Sequence, residues 1–587
     1  MTNDRPRLSR RKRAFFALAL ALAPLFFLEA MFRVTGVFGP EEPFSIVRDD
    51  RGVEMVQYNW NQVKPRFPPE KLGGTLRVMV FGGSTALGFP YQPRSSFGEM
   101  LAVMLEHSLP GLRVELINLG RVGMNSAEVA ELLPRALEYQ PDLVIVYSGH
   151  NEFIALDQGQ LWVWASRTLG RVRTARAAGT VIKLGLGAAA LSLQERVEPE
   201  PLAPPPASRV SEADFEEALV RYRQNLEAMA AACKEKKIPL ALNTLTSNLA
   251  GWPPEDRVFP EGVPKDAQEQ ALEVVALVKD LCFQVRSRPG QGLTPEEVKA
   301  RELLEQASIQ APGYAPLRFW SARLDLAGQV ASSRLTDPPR DLLAAFNRAL
   351  SEEAHTVSVH RAPPEINRIV RAVAKEQGLI LAEHEWLGIS LGLFDDHCHP
   401  GLQGQAEIAR GIYTALLDEG FPRPPTEWSA YEFDLERFKA DRKLDETFIH
   451  DIRVRMGVFL GLERDLPLHS ELTRRQLKEA IATGPDDPLP ALLLAAVHLH
   501  YGETAEAAAA LKPWRKKQDR IQLALDRYFT RSVDLRGGAL YFHLALDPGV
   551  PPLRGLLTSG IARDEKPRVR PGKPLPLSAF NARIDLN

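Results

Sequence analysis

Short apolar runs ended by glycine, asparagine or proline recur along the first 425 residues. Leu76–Phe81, broken only by Arg77, is followed by Val114–Leu119, Leu143–Tyr147, Pro239–Asn243 and Leu379–Leu381. Runs this short, mostly apolar and without a sustained in-out alternation, are the pattern of strands covered on both faces of a parallel sheet. Between them the period changes to that of a helix. Phe97–His107 is helical by spacing, and the next helix has Asn125 as N-cap with Glu128 three residues on, so that Val129, Leu132 and Leu133 face inward. Near the end of this region Ile408, Ile412, Ala415 and Leu416 mark one helix face, which Gly420 and Pro422 close. The alternation predicts an α/β fold, a doubly wound five-stranded parallel sheet, with its ligand site outside the carboxyl ends of the strands.

Other stretches do not fit that alternation. Residues 294–352 carry Ala-rich helical spacing at Leu303, Leu304, Ala307, Ala315, Phe319, Ala322 and Leu326, which reads as an α-helical insertion. A second such cadence, with Leu494, Ala495 and Leu499 before Gly502-Glu503-Thr504-Ala505, falls in a C-terminal extension over 426–587. Both look like tetratricopeptide-type helix pairs without the full signature, and too few repeats are present for an independent solenoid. They are expected to pack on the core and to offer a surface to a protein or polymer, simple packing being the equal alternative. Residues 161–211 form an excursion, with an apolar run from Val181 to Leu193 suited to a covering or membrane-surface helix. It ends in the Pro-rich linker Glu198–Pro206. The sheet domain is thus expected over 75–160 and 212–425.

The amino terminus changes the picture of location. Residues 1–13 carry six basic side chains, and 14–33 are almost entirely apolar, with Glu29 near the outer end. Basic residues before an apolar segment about 19 residues long favour a cytoplasmic start and export of the chain beyond the segment. No small-x-small cleavage site stands out, so an uncleaved transmembrane signal-anchor is expected rather than a removed signal peptide, followed by a linker over 34–74. The catalytic part would then be extracytoplasmic, in the periplasm or at the cell surface.

Candidate chemistry sits at two distant places. The first apolar strand runs into Gly82-Gly83-Ser84-Thr85, which puts a hydroxyl on a tight turn open to a ligand. Far downstream, Asp396-His397-Cys398-His399-Pro400 places a carboxylate three residues before an imidazole, close enough for Asp396 to orient His399 while its other nitrogen faces a serine. Competing readings exist for each part. Gly-Gly-Ser-Thr is a common turn, the Asp395–His399 cluster could bind a metal or be a solvated acidic loop, and an α/β-hydrolase elbow would need a glycine after the serine.

Two further blocks decide between these readings. Asn118-Leu119-Gly120-Arg121-Val122-Gly123 and Ser148-Gly149-His150-Asn151-Glu152 each close a strand-like run, and with the serine and Asp-x-x-His blocks they stand in the order found in SGNH (GDSL-like) hydrolases, which the chain resembles. The resemblance implies a flavodoxin-like sandwich with Ser84 as nucleophile, His399 as base and Asp396 as its orienter. It also implies an oxyanion hole from the Ser84 and Gly123 amides and the Asn151 side chain, with no cofactor and no metal. Gly83 stands where the family often has Asp, and Glu152 where Asp often follows the asparagine. Both departures bear on substrate class more than on chemistry.

Composition excludes little more. With 587 residues and a formal charge of −2 the chain has room for several domains and no overall pull toward nucleic acid, and three widely spaced cysteines make no disulfide framework. The sequence therefore predicts a membrane-anchored serine esterase acting on an ester, such as an O-acyl group of an envelope polysaccharide or lipid. Polysaccharide O-acyl transfer by the same triad is the alternative within chemistry. A helical scaffold with a vestigial triad is the alternative outside it.

Overall fold

The computed structural model describes residues 42–153, 210–284, 292–326, 340–355, 361–462 and 466–524, apart from a few single positions and pairs within them. The basic residues 1–13, the expected anchor at 14–33, nearly all of the 161–211 excursion and the last part of the C-terminal extension lie outside these residues. Among the described residues no helix is long and apolar enough to cross a membrane.

In chain order, β1 (Phe44–Arg48), β2 (Glu54–Tyr58) and β3 (Arg66–Phe67) form a small antiparallel sheet. Strands β4 (Thr75–Gly82), β5 (Arg113–Asn118), β6 (Leu143–Tyr147), β7 (Leu240–Asn243) and β8 (Ile380–Ala382) form the main sheet. Its order is β5-β4-β6-β7-β8 and every pairing is parallel. Each strand coincides with a predicted run to within a residue or so. All of β6 is buried, as expected of a strand covered on both faces. The connection from β4 to β5 contains α1 (Phe97–Ser108), that from β5 to β6 contains α2 (Ser126–Ala136), and that from β6 to β7 contains α3 (Glu212–Glu235). Asn125 caps α2 in a capping box with Glu128, as its sequence predicts.

The long crossover from β7 to β8 carries α4 (Lys265–Gln284), α5 (Pro295–Gln310), α6 (Ala315–Asp325), α7 (Arg340–Ala354) and α8 (Pro364–Gln377). Helices α4 to α7 share a core of their own, including Leu304, Phe319, Trp320 and Phe346. The insertion thus starts earlier than residue 294, because α4 supplies one wall of that core. These helices are stacked, but nothing in them establishes a tetratricopeptide repeat. After β8 comes α9 (Leu402–Asp418), which packs with α1, while α2, α3 and α8 pack together. The two sets give the doubly wound arrangement.

Two stretches behave differently from their sequence reading. Much of the expected linker at 34–74 is the β1–β3 sheet, whose Val56, Tyr58 and Phe67 join the main core. Its strands are short and partly exposed, so they lack the continuous apolar run that betrays β6. Arg77, the charged break in β4, explains part of the docking: its guanidinium is fully buried and donates to Glu115 (2.7 Å), the Tyr139 carbonyl (2.6 Å) and the Pro68 carbonyl (2.9 Å). Nor does the core end at residue 425. Beyond it lie α10 (Leu435–Asp441), α11 (Glu446–Leu462), α12 (Leu466–Thr483), α13 (Leu489–His500) and α14 (Thr504–Leu511). Phe438, Leu444, Ile452 and Met456 from α10, α11 and their connection belong to the main core, so the extension begins as part of the sheet domain.

Candidate active site

Strand order fixes where the chemistry can gather. Because β4 lies between β5 and β6, the chain leaves it in one direction to form β5 and returns on the other side to form β6, which opens a crevice at their carboxyl ends. Ser84 follows β4, Gly123 follows β5 and Asn151 follows β6. Gly82 holds φ +150°, and a Cβ there would lie 2.0 Å from the Tyr147 carbonyl oxygen, so only glycine lets β4 turn this close to β6. Ser84 then starts a one-turn helix, with the Leu87 amide donating to the Gly83 carbonyl at 3.1 Å.

Ser84 Oγ lies 2.6 Å from His399 Nε2, and His399 Nδ1 lies 2.5 Å from Asp396 Oδ2. The other carboxylate oxygen of Asp396 accepts the Cys398 and His399 amides at 2.9 and 2.8 Å, so the aspartate is held on both sides and fully buried. Burial alone would raise the Asp396 carboxyl, but the charge of His399 and His397 and these hydrogen bonds hold it well below the usual carboxylate range. Burial would likewise disfavour a charged His399, yet the adjoining Asp396 carboxylate wins and raises the imidazole well above its ordinary value. A hydroxyl, an imidazole and a buried carboxylate in this chain can pass a proton from oxygen to nitrogen while the carboxylate steadies the resulting cation.

The remaining candidates frame the hydroxyl. Asn151 Nδ2 donates one hydrogen to the Met124 carbonyl at 2.8 Å, and the amide nitrogen carries a second. Gly123 adopts φ +75°, the left-handed conformation, in an open position next to Met124, whose carbonyl Asn151 binds. A Cβ on Gly83 would sit 2.6 Å from Asn151 Nδ2, so the family's common Asp at this place would displace the asparagine as it stands here. Glu152, the other departure, accepts from the Ser126 amide (2.8 Å) and hydroxyl (2.7 Å) at the start of α2. Burial pushes its carboxyl up to about 7. It therefore ties the loop carrying Asn151 to the loop carrying Gly123. Ser84, His399 and Asp396 are joined by hydrogen bonds, Asn151 lies against Gly83 beside the serine, and Gly123 precedes Met124, to which Asn151 is bonded.

Several neighbours have no sequence signal. Asn248, just past β7, donates from its side chain to the Asp396 carbonyl and from its backbone to the His397 carbonyl, both at 2.8 Å. The Phe89 ring lies 4.6 Å from that of His399. Thr85 Oγ1 donates to the Cys398 carbonyl at 3.2 Å, tying the serine turn to the Asp-His loop. His150 accepts the Ala362 amide on Nδ1 at 3.0 Å, and burial lowers its imidazole to about 3, so it stands neutral beside the site. Asp395, read only as part of the Asp395–His399 cluster, accepts the Tyr91 hydroxyl at 2.6 Å and pairs with Arg453. Asn residues are common in loops, and nothing local marks an arginine more than fifty residues away as a partner of Asp395.

Asp396, Cys398 and His399 bring three ligand atoms within 4.8 Å of one another. Both nitrogens of His399 are engaged, by Ser84 and by Asp396, so a metal there would have to break the hydrogen-bonded chain. Cys233, Cys282 and Cys398 are all free and buried.

No protein-family model matches the sequence, and no curated protein matches it. Solved structures with which it aligns include a mutant of an acetyl-xylooligosaccharide esterase from Geobacillus Stearmophilus, at 10% identity and a TM-score of 0.26, covering 58% of this chain and 93% of that one. A GDSL-like lipase from Bacteroides thetaiotaomicron aligns at 10% identity and a TM-score of 0.24, covering 59% of this chain and 89% of that one. At such scores the alignments carry no argument. The resemblance to SGNH hydrolases stands on the four sequence blocks, and the strand order is the flavodoxin-like one that it implies.

Proposed function

We propose that the chain is a serine esterase using Ser84, His399 and Asp396. The observation that carries this reading is the continuous chain of short contacts from Ser84 Oγ through His399 to a buried Asp396. Ser84 Oγ attacks the ester carbonyl carbon while His399 Nε2 takes its proton. The Ser84 and Gly123 amides and the second Asn151 N–H hold the oxyanion. Collapse of the tetrahedral intermediate returns the proton to the departing alcohol, and water, deprotonated by the same imidazole, then releases the acid and restores Ser84.

The basic cluster and apolar run before residue 34 support placing this chemistry outside a membrane, against O-acyl groups of an envelope polysaccharide or lipid. Full-length protein in detergent is expected to release acetate from a small activated ester in water alone, and Ser84→Ala to abolish that release. Acyl groups appearing on added oligosaccharide in a Ser84-dependent way, with negligible release in water, would replace the esterase by an acyltransferase. Loss of activity on chelation would return the Asp396-Cys398-His399 cluster to a metal role.

A further inference from the structure

Asp395 is the residue just before the carboxylate that orients the imidazole, and its surroundings are unusual for a surface loop. Its side chain is buried and bonded from three separate parts of the chain. Tyr91, seven positions after the nucleophile, donates its hydroxyl to Oδ2 at 2.6 Å. Arg453 of α11 donates to Oδ1, and Gln476 Nε2 of α12 donates to the same oxygen at 3.1 Å. Arg453 also bonds Gln476 Oε1 at 2.8 Å and pairs with Glu479 at 2.8 Å. Arg475 of α12 donates to the Phe394 carbonyl, and Phe459 of α11 stacks edgewise on Phe89, whose ring covers His399.

The loop itself is closed by an antiparallel bridge between Phe394 and Pro400, and the Asp395 amide donates to the His399 carbonyl at 2.8 Å. Asp395 is thus rigidly coupled to both ends of the Asp396–His399 turn. Through Tyr91 it is also coupled to the segment that carries Ser84. A buried carboxylate bound by arginine, amide and phenol is fixed in place, because moving it would leave a buried charge unpaired.

We propose that Asp395 and Arg453 are positioning residues, and that α11 and α12 of the C-terminal extension set the distance between His399 and Ser84. This rests on the serine esterase reading for its kinetic consequence, but not for its geometry. Neither residue reaches the reacting atoms. Their effect on catalysis runs through the angle and separation of the imidazole, where displacement by about 1 Å can cost a hundredfold in rate.

The test uses the full-length chain and two readouts. In Arg453→Ala, kcat for a small ester should fall by about a hundredfold with KM within about twofold, since substrate contacts are untouched. Arg453→Lys should recover about a tenth or more of the lost rate by restoring the charge. The second readout is the His399 Nδ1 proton, followed by NMR in histidine-labelled protein and expected to be strongly deshielded by its 2.5 Å bond to Asp396. It should be lost in Arg453→Ala and return in Arg453→Lys. Asp395→Asn, which keeps shape and removes charge, serves if Arg453→Ala does not fold. Wild-type kcat together with an unchanged proton resonance in Arg453→Ala or Asp395→Asn would overturn the proposal. If wild-type protein shows no Ser84-dependent turnover while the resonance still tracks Arg453, the esterase reading fails and the positioning role holds.

Discussion

The two helical additions connect to the same Asp-His loop in different ways, one through intermediates and one directly. The insertion in the β7–β8 crossover packs through an apolar core of its own, which meets the sheet domain at Leu249, Ala250 and Ile389. Its polar route to the site is indirect: Glu353 of α7 pairs with Arg361 at 2.6 Å, Arg361 donates to the Trp252 carbonyl at 3.0 Å, and Asn248 in the same loop holds the Asp396 carbonyl. The extension instead sends charged and amide side chains straight to Asp395. Apolar packing tolerates small shifts, whereas a buried ion pair has one good geometry and a large penalty for leaving it. One addition should therefore govern stability, and the other the reaction.

The largest effects come from the residues that both additions serve. Alanine at Ser84, His399 or Asp396 is expected to lower ester turnover by about a thousandfold or more each, with the triple variant little worse, because the three act as a unit. Steady-state kinetics on the four variants checks this, and additive losses would break it. Asn151→Ala should cost about a hundredfold in acylation rate, read from single-turnover labelling. The raised His399 also sets a pH dependence. The imidazole must be neutral to act as base, so kcat/KM should climb with pH along a limb above the ordinary histidine value, and His397→Ala should alter that limb only mildly.

Trp320→Ala sharpens the contrast from the other side. The ring is 2% exposed at the centre of the insertion core, so its removal should cost roughly 3–5 kcal/mol in unfolding free energy. Turnover per folded molecule should stay at the wild-type level in denaturant-free buffer. A fall in kcat as large as that of Arg453→Ala would erase the distinction between the two regions.

The smallest expected effect concerns Glu152. Its carboxyl is raised to about 7 in the folded chain, above the unfolded value, so the native state holds a proton that the unfolded state has lost. Its contribution to stability is therefore present at low pH and is lost as pH rises through about 7. Glu152→Gln keeps the contacts to Ser126 without the charge. Its unfolding midpoint should exceed that of the wild type at pH 8 by a few degrees and match it near pH 5, in thermal melts. An equal gap at both values would show that burial does not hold the proton there.

How much of this was legible in the sequence depends on the demands of each element. The five main strands are readable because burial on both faces forces near-continuous apolar runs, and Ser84, Gly123, Asn151, Asp396 and His399 because each ends or follows such an element. The β1–β3 sheet is half exposed, its third strand has two residues, and its docking depends on Arg77, which interrupts a strand pattern. Arg453 and Gln476 lie on amphipathic helices where one arginine or glutamine looks like any other. Only the three-dimensional meeting at Asp395 sets them apart.

That meeting gives the molecule an order in time. Ser84 and His399 are 315 positions apart, and the residues that clamp Asp395 come later still, in α11 and α12. At about 5–20 residues per second, roughly a quarter of a minute to a minute of synthesis separates the serine from its base. Throughout that interval the emerging chain carries the Ser84 hydroxyl without the imidazole that would activate it. On the proposed reading, the Ser84–His399–Asp396 chain is completed only once the helices beyond residue 446 have been made and have packed on the loop, after most of the protein already exists.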